Sequence, residues 1–155
     1  MRVLMLGPTN SPHVEDLVVG LGERDIEVVV VGEPAPNLPP STLDRRGIRV
    51  ELASPGALAA PGRLIRRVSW LRRLVRDVRP DIVHALLLVE DPFYAVLARA
   101  RPLVTTAWGS DVLSTTWIGK LRSRLVSRRA DLLTADSKAL LDALAALGRT
   151  TPGSG

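Results

Sequence analysis

The residues best suited to hold a charged ligand follow the first apolar run of the chain, Val3–Leu6. Ser11 is a predicted helix cap and Pro12 suits a first helical position, so a helix is expected to begin here. Backbone amides at a helix start attract anions, although an ordinary capped turn is the alternative. The turn is neither a G-x-G-x-x-G fingerprint nor a P-loop. The candidate ligand-binding residues are Gly7, Thr9, Asn10 and His13.

A second group of candidates follows two later apolar runs. Gly109 permits a sharp turn close to a ligand, and Asp111 can accept hydrogen bonds from hydroxyl groups or merely cap a turn. Trp108 can stack on the flat face of a ligand or fill the domain surface. Asp91 precedes Pro92 and is predicted to cap a helix. The candidates of this group are Glu90, Trp108, Gly109, Ser110 and Asp111.

Metal and thiol chemistry are not expected. The chain has no cysteine, and its two histidines, His13 and His84, are too far apart in sequence to form a ligand pair. Because His84 lies inside an apolar run, we interpret it as a hydrogen-bonded core residue. We predict no metal site.

The segment Arg63–Arg79 carries seven arginines and a tryptophan. At about 100° per residue its leucines and valines, including Leu64, share one face, and most arginines lie opposite. Tryptophan among arginines is typical of an anionic membrane interface, and a solvated helix face is the alternative. Nucleic acid is not expected, because aromatic residues are scarce. The membrane-surface candidates are Arg63, Arg66, Arg67, Trp70 and Arg73.

Short apolar runs alternate with helical patterns, which is typical of parallel βαβ units. The predicted strands are Val3–Leu6, Glu27–Val31, Ile48–Leu52, Asp81–Leu87, Leu103–Ala107 and Asp131–Ala135. One predicted helix begins at Pro12, and three more cover Arg63–Val78, Asp91–Ala100 and Ile118–Arg129. The last predicted helix begins after a Ser137 cap and ends at Gly148. We predict an α/β fold: one Rossmann-like, doubly wound parallel sheet with helices on both faces and strand order 3-2-1-4-5-6. Ligands then bind at the carboxyl ends of the strands, beside the switch point.

Composition indicates one cytoplasmic domain. The 155 residues carry a net charge of +5, which favours acidic partners, and no apolar run approaches the ~20 residues that span a bilayer. The first residues lack the features of a signal peptide. We expect a domain over residues 1–148, a flexible tail over 149–155, and a cytoplasmic location that includes the inner face of the membrane.

Four motifs, in order, resemble family-four GT-B glycosyltransferases. They are spread over nearly the whole of residues 1–148. The first is the opening run followed by Pro12-His13-Val14. The others are Arg79–Ala85 (RPDIVHA), Pro102–Asp111 (PLVTTAWGSD) and Arg129–Ser137 (RADLLTADS). The sequence departs from the family pattern at Leu86 and Trp108, where histidines are common, and lacks the second glycine of the first loop.

The resemblance implies retaining transfer of a sugar from a nucleotide-diphosphate sugar, the co-substrate, with no other cofactor. It implies that the candidate residues above contact the acceptor and the donor phosphates and sugar. The family's C-terminal domain binds the nucleotide and carries two glutamates eight positions apart. Glu15 and Glu23 have that spacing but fall on the first helix, so we interpret them as solvated and expect no catalytic residue in this chain.

The implied partner is a missing C-terminal domain or second subunit, and the implied acceptor is a glycan, a lipid-linked compound or a small molecule. The chain alone is expected to be inactive. Two alternatives remain: a self-sufficient, non-catalytic Rossmann-like binding protein for a phosphorylated ligand, and an interaction module that uses the basic helices.

Overall fold

The structure, a computed structural model, describes residues 1–52, 62–87, 90–108 and 116–146. The strands are β1 (Arg2–Leu6), β2 (Glu27–Gly32), β3 (Arg49–Leu52), β4 (Ile82–Leu86), β5 (Leu103–Ala107) and β6 (Leu132–Ala135). The helices are α1 (Pro12–Gly22), α2 (Arg63–Val78), α3 (Asp91–Ala98), α4 (Trp117–Arg129) and α5 (Lys138–Ala146), with a 3₁₀ turn at Asp44–Arg46.

All six strands are parallel and lie in the order β3-β2-β1-β4-β5-β6. This confirms the predicted doubly wound, Rossmann-like sheet and its strand order. The direction of the strand order reverses between β1 and β4, where Met5 pairs with both Val30 and His84. The switch point therefore lies beside the turn that follows β1.

Several predicted element ends were wrong by one or two residues. The helix expected to reach Ala100 ends at Ala98, because Arg99 adopts a left-handed backbone with φ 58°. Ser11 occupies the cap position of α1 but makes no side-chain cap hydrogen bond. Ser137 does cap α5, since its Oγ accepts from the Leu140 amide at 3.4 Å. The predicted end at Gly148 and the tail 149–155 lie outside the described residues.

The two faces of the sheet are covered unequally. The larger core cluster joins one face to α2, α3, α4 and α5, through side chains such as Leu71, Ala95, Val126 and Leu144. The smaller cluster joins Met5 and Val30 on the other face to Val14 and Val18 of α1. Leu64, predicted on the apolar face of α2, is 46% exposed, because α2 packs through Leu71, Leu74 and Val78 near its carboxyl end.

Half of the second face is covered less fully than the other half by the part of the chain that the structure describes. Strand neighbours point to opposite faces, and on the covered face of β4, β5 and β6 the side chains of Val83, Leu103 and Leu133 are at most 5% exposed. On the other face Leu132 is 48% exposed. The open half-face is the set of its partly or fully exposed residues: Ile82, His84, Val104, Thr106, Leu132 and Thr134.

Candidate functional site

The turn after β1 and the ends of β2, β4 and β5 meet at the carboxyl edge of the sheet, as predicted. Leu87, directly after β4, has a φ of 71°, in the left-handed region that a leucine rarely adopts. Its amide donates to the Thr106 carbonyl at 2.9 Å, which holds the chain in that conformation. Backbone strain of this kind concentrates at functional sites.

Two of the predicted ligand-binding residues come together across the switch point. The ring of His13, in the first turn of α1, lies 5.3 Å from the ring of Trp108, at the end of β5, with a tilt of 57°. His13 is exposed, whereas Trp108 is partly buried against the smaller core cluster. The pair places an imidazole and an indole side by side at the carboxyl edge of the sheet, and such groups can hydrogen-bond to and stack on a sugar.

The predicted residue Asn10 holds a loop. It is 4% exposed, and its Nδ2 donates to the carbonyls of Ala35, Leu38 and Pro39 at 3.0–3.2 Å. Its Oδ1 accepts from the Ala35 amide at 2.6 Å. Because both polar atoms are engaged, Asn10 shapes the site by fixing the proline-rich segment 33–40 beside it. Thr9, also predicted, is 2% exposed and donates its amide to the Glu33 carbonyl at 3.4 Å.

Gly7 and Gly32 allow β1 and β2 to meet closely at this edge. The Gly7 amide donates to the Val31 carbonyl at 3.0 Å, so it is not oriented toward a ligand as the helix-start argument expects. A Cβ on Gly32 would lie 1.9 Å from the Gly7 carbonyl oxygen. A Cβ on Gly7 would lie 3.3 Å from the Cβ of Leu86 in β4. In the first turn of α1, Pro12 has no amide hydrogen and the Glu15 amide donates to the Ser11 carbonyl at 3.0 Å, so the amides that could meet an anion there are those of His13 and Val14.

Glu15 is bonded, which corrects the interpretation of it as a solvated helix residue. Its carboxylate accepts from the amide and hydroxyl of Thr42, at 2.8 and 3.0 Å, and from the hydroxyl of Ser41 at 3.3 Å. The bond from the Thr42 amide is the main reason that the pKa of Glu15 is lowered. Glu23, at the end of α1, is exposed. Thus Glu15 fastens the far end of the loop that Asn10 holds.

Arg67 of α2 links its helix to the segment after β2 and to α3, at the carboxyl edge of the sheet. This corrects its prediction as a membrane-surface residue. Its side chain is 11% exposed and contacts Glu33 at 2.7 Å and Asp91 at 3.1 Å. Its guanidinium also lies 4.9 Å from the centre of the Tyr94 ring. Burial alone would lower the pKa of Arg67, but the carboxylates of Asp91 and Glu33 outweigh burial and raise it.

Asp91 is the more buried of the two carboxylates in this cluster, with its side chain 25% exposed, and its prediction as a helix cap was wrong. The cap position of α3 belongs to Glu90, whose side chain makes no cap hydrogen bond. Burial raises the pKa of Asp91, and the attraction of Arg67 only partly offsets it. Glu90, a predicted ligand contact, is exposed at the edge, 3.9 Å from Arg122. Its carboxylate is therefore accessible to a hydroxyl-bearing ligand.

The predicted residues Gly109, Ser110 and Asp111 lie outside the described residues. Of the membrane-surface candidates other than Arg67, Arg66 and Arg73 are exposed, and Arg63 and Trp70 are half-buried. His84 is hydrogen-bonded as predicted, with its Nε2 2.7 Å from the Thr106 hydroxyl, and burial lowers its pKa. Within the described ranges no group of residues could hold a metal ion, and no helix is long and apolar enough to cross a membrane.

Sequence reasoning missed the roles of Gly32, Glu33 and Arg67. For Arg67 a signal existed, because it lies four residues before Leu71 and seven before Leu74, on the buried side of α2. For Gly32 the only signal was a glycine at the end of an apolar strand.

Residues 11–152 match the glycosyl transferase 4-like domain. No curated protein sequence matches the chain.

Solved structures with the same fold include three whose chains are more than twice as long as this one. HepE of Anabaena, in complex with UDP and glucose, is 25% identical with a TM-score of 0.64, and the match covers 97% of this chain and 42% of that one. A putative UDP-N-acetylglucosamine 2-epimerase of Listeria monocytogenes is 18% identical with a TM-score of 0.70, and the match covers 96% of this chain and 42% of that one. MurG of Acinetobacter baumannii is 15% identical with a TM-score of 0.60, and the match covers 89% of this chain and 41% of that one. The chain thus spans less than half the length of each.

Proposed function

The chain belongs to the glycosyl transferase 4-like domain family, as an N-terminal domain of the GT-B type, and on this premise we propose that it is the acceptor-side half of a retaining glycosyltransferase. It would take a sugar from a nucleotide-diphosphate sugar and pass it to a glycan, lipid-linked or small-molecule acceptor. The observation that carries the proposal is the family match over residues 11–152, and the pairing of His13 with Trp108 at the carboxyl edge of the sheet supports it.

The geometry of the edge supports an acceptor-binding role. His13, Trp108 and Glu90 supply an imidazole, an indole and a carboxylate, which suit the hydroxyl-rich faces of a sugar. Gly109, Ser110 and Asp111 follow directly after Trp108 in the chain and are proposed to extend this set. The first-turn amides of α1 suit a donor phosphate. Catalysis would then need charge stabilisation of the leaving diphosphate from a second half.

A second domain or subunit is the proposed partner, and two observations support it. The chain spans 42% of the Listeria and Anabaena structures, and both of those chains are more than twice its length. The open half-face adds a local reason, because parallel sheets in α/β proteins are normally buried on both faces. Its exposed Leu132 and partly exposed Ile82 and Val104 provide apolar surface for such a partner.

Adjacent leucines of β6 test whether the open half-face is uncovered in this chain. Leu132→Ala is expected to lower the free energy of unfolding by less than about 1 kcal/mol, since the side chain is 48% exposed. The matched change Leu133→Ala, on the covered face at 5% exposure, is expected to cost about 3 kcal/mol. Urea unfolding followed by circular dichroism measures both. Equal losses would show that the half-face is packed and remove this support for a partner.

The donor nucleotide is proposed to bind in the second half, so this chain alone would neither bind it tightly nor transfer sugar. HepE of Anabaena was solved with UDP and glucose, which supports a nucleotide-sugar as the class of co-substrate. Titration of the chain with nucleotide-sugars tests the assignment, because a self-sufficient binding protein for a phosphorylated ligand would bind one of them. We also propose a cytoplasmic location, at the inner face of the membrane where lipid-linked acceptors are accessible.

A further inference from the structure

Two grooves run together along the outer side of α2. One, of about 300 Å³, is lined by Arg63, Ile65, Arg66, Arg67, Ser69, Trp70 and Arg73. The other, of about 540 Å³, lies between α2 and the end of α3 and is lined by Ser69, Arg72, Arg73, Val75, Arg76, Ala98 and Arg99. Ser69 and Arg73 line both grooves, so the two form one continuous surface. We call its exposed cations, Arg66, Arg72, Arg73, Arg76 and Arg99, the arginine stripe.

The arginine stripe carries uncompensated positive charge. None of the residues that line the two grooves in the described part of the chain is acidic. The nearby carboxylates of Glu33 and Asp91 are held by Arg67 on the inner side of the helix. Asp77 is the one acidic residue of α2 against six arginines. A surface of this kind attracts a polyanion.

An apolar side chain projects beside the arginine stripe at the start of α2. Ile65 lines the first groove and is 71% exposed, and Leu64, at the same end of α2 but on its core-facing side, is 46% exposed. At 1.5 Å per residue, about 16 Å of helix separates Ile65 from Arg76, which is long enough to meet several lipid headgroups. Exposed aliphatic residues next to arginines favour a membrane over nucleic acid, because nucleic acid offers phosphates and bases but no apolar phase.

The position of the stripe also sets an orientation. Arg67, in the second turn of α2, contacts Glu33 directly after β2, so the start of α2 lies at the carboxyl edge of the sheet. Ile65 and Leu64 therefore lie at the same end of the domain as His13 and Trp108. A membrane against the start of α2 would lie beside the carboxyl edge of the sheet, so that a lipid-borne acceptor could reach His13 and Trp108.

We propose that the arginine stripe, together with Ile65, is a docking surface for an anionic lipid bilayer, and that its Ile65 end brings the carboxyl edge of the sheet close to the membrane. The location at a membrane rests on the proposed function, but the docking surface rests on the residues above. Of the residues predicted from the sequence it keeps the exposed Arg66 and Arg73, leaves out the half-buried Arg63 and Trp70 and the ion-paired Arg67, and adds Arg72, Arg76 and Arg99.

Vesicle co-sedimentation tests this surface. The chain is expected to bind vesicles that mix phosphatidylglycerol with phosphatidylcholine, and not vesicles of phosphatidylcholine alone. The triple change Arg72→Gln, Arg73→Gln and Arg76→Gln should weaken binding about 100-fold, at about fivefold per arginine. The matched triple change Arg45→Gln, Arg124→Gln and Arg128→Gln, at exposed arginines elsewhere, should weaken it no more than about threefold, by net charge alone. Thermal melts of both triple variants confirm that they fold.

The apolar contribution is tested separately. Ile65→Ser should weaken vesicle binding about fivefold while leaving the thermal midpoint unchanged, because the side chain is 71% exposed. Equal losses from the two triple variants, or binding to phosphatidylcholine alone, would overturn the proposal. So would tighter binding of an RNA oligonucleotide that the same triple change abolishes. Sugar transfer is not part of the readout, so failure here leaves the proposed transferase half standing.

Discussion

Gly32→Ala is expected to lower the free energy of unfolding by about 3 kcal/mol or more, a large share of the roughly 5–15 kcal/mol that is usual for a folded domain. The added Cβ would lie 1.9 Å from the Gly7 carbonyl oxygen, and that oxygen belongs to the backbone of the turn after β1. No rotamer change can relieve a clash of this kind, so β1 and β2 must separate. Thermal unfolding should show a midpoint lower by about 6–12 °C.

Gly22→Ala is the matched control. A Cβ there meets no atom within 4 Å, and the residue ends α1. Alanine should therefore be neutral or stabilise by a few tenths of a kcal/mol, through a less flexible unfolded chain. If Gly32→Ala melts together with Gly22→Ala, the close approach of the turn after β1 to the end of β2 is wrong.

Arg67→Met is expected to cost about 3 kcal/mol, a second large effect. Methionine keeps the apolar stem of the side chain but leaves the carboxylates of Asp91 and Glu33 facing each other without a cation. Removing one partner of a buried ion pair is destabilising because the other charge stays desolvated. Arg66→Met, at the exposed neighbour, should change stability by less than about 0.5 kcal/mol.

The pH dependence separates a charge effect from lost packing. Burial raises the folded-state pKa of Asp91, and loss of Arg67 would raise it further. A carboxyl whose folded pKa lies above its unfolded value destabilises the fold at neutral pH, and this cost falls as the pH drops through the folded pKa. The deficit of Arg67→Met should therefore be largest at neutral pH and should shrink as the pH is lowered and Asp91 takes up a proton. A deficit that does not change with pH would assign the loss to packing.

Strand positions were largely predictable from the sequence, because most of the strands are short apolar runs next to a glycine or a proline, and the strand order then followed from the commonest doubly wound topology. The helix ends were less accurate. Arg99 ends α3 in a left-handed backbone conformation, and an arginine gives no sequence signal for such a helix end, as a glycine would. The coverage of the faces was not predictable, since Leu132 and Leu133 have the same side chain and differ only in which side of β6 they occupy.

The sequence predicted where the candidate residues lie better than what their side chains do. His13 and Trp108 were both chosen from the sequence, and the strand order then brings their rings together. Asn10 was chosen as a ligand contact, yet its partners lie 25–29 residues away in an irregular segment, which no local pattern reveals. Arg67 was placed on the outer face because its charge suggested solvent, whereas its spacing from Leu71 indicated the inner face.

The central claim, that this chain is the acceptor-side half and lacks the donor nucleotide site, is tested most directly by calorimetric titration with UDP-, GDP- and ADP-sugars. The account predicts no measurable heat, or dissociation constants weaker than about 1 mM, a binding free energy of at most ~4 kcal/mol. Micromolar binding of any one nucleotide-sugar would contradict it, and would make a self-sufficient ligand-binding domain the better description of the chain.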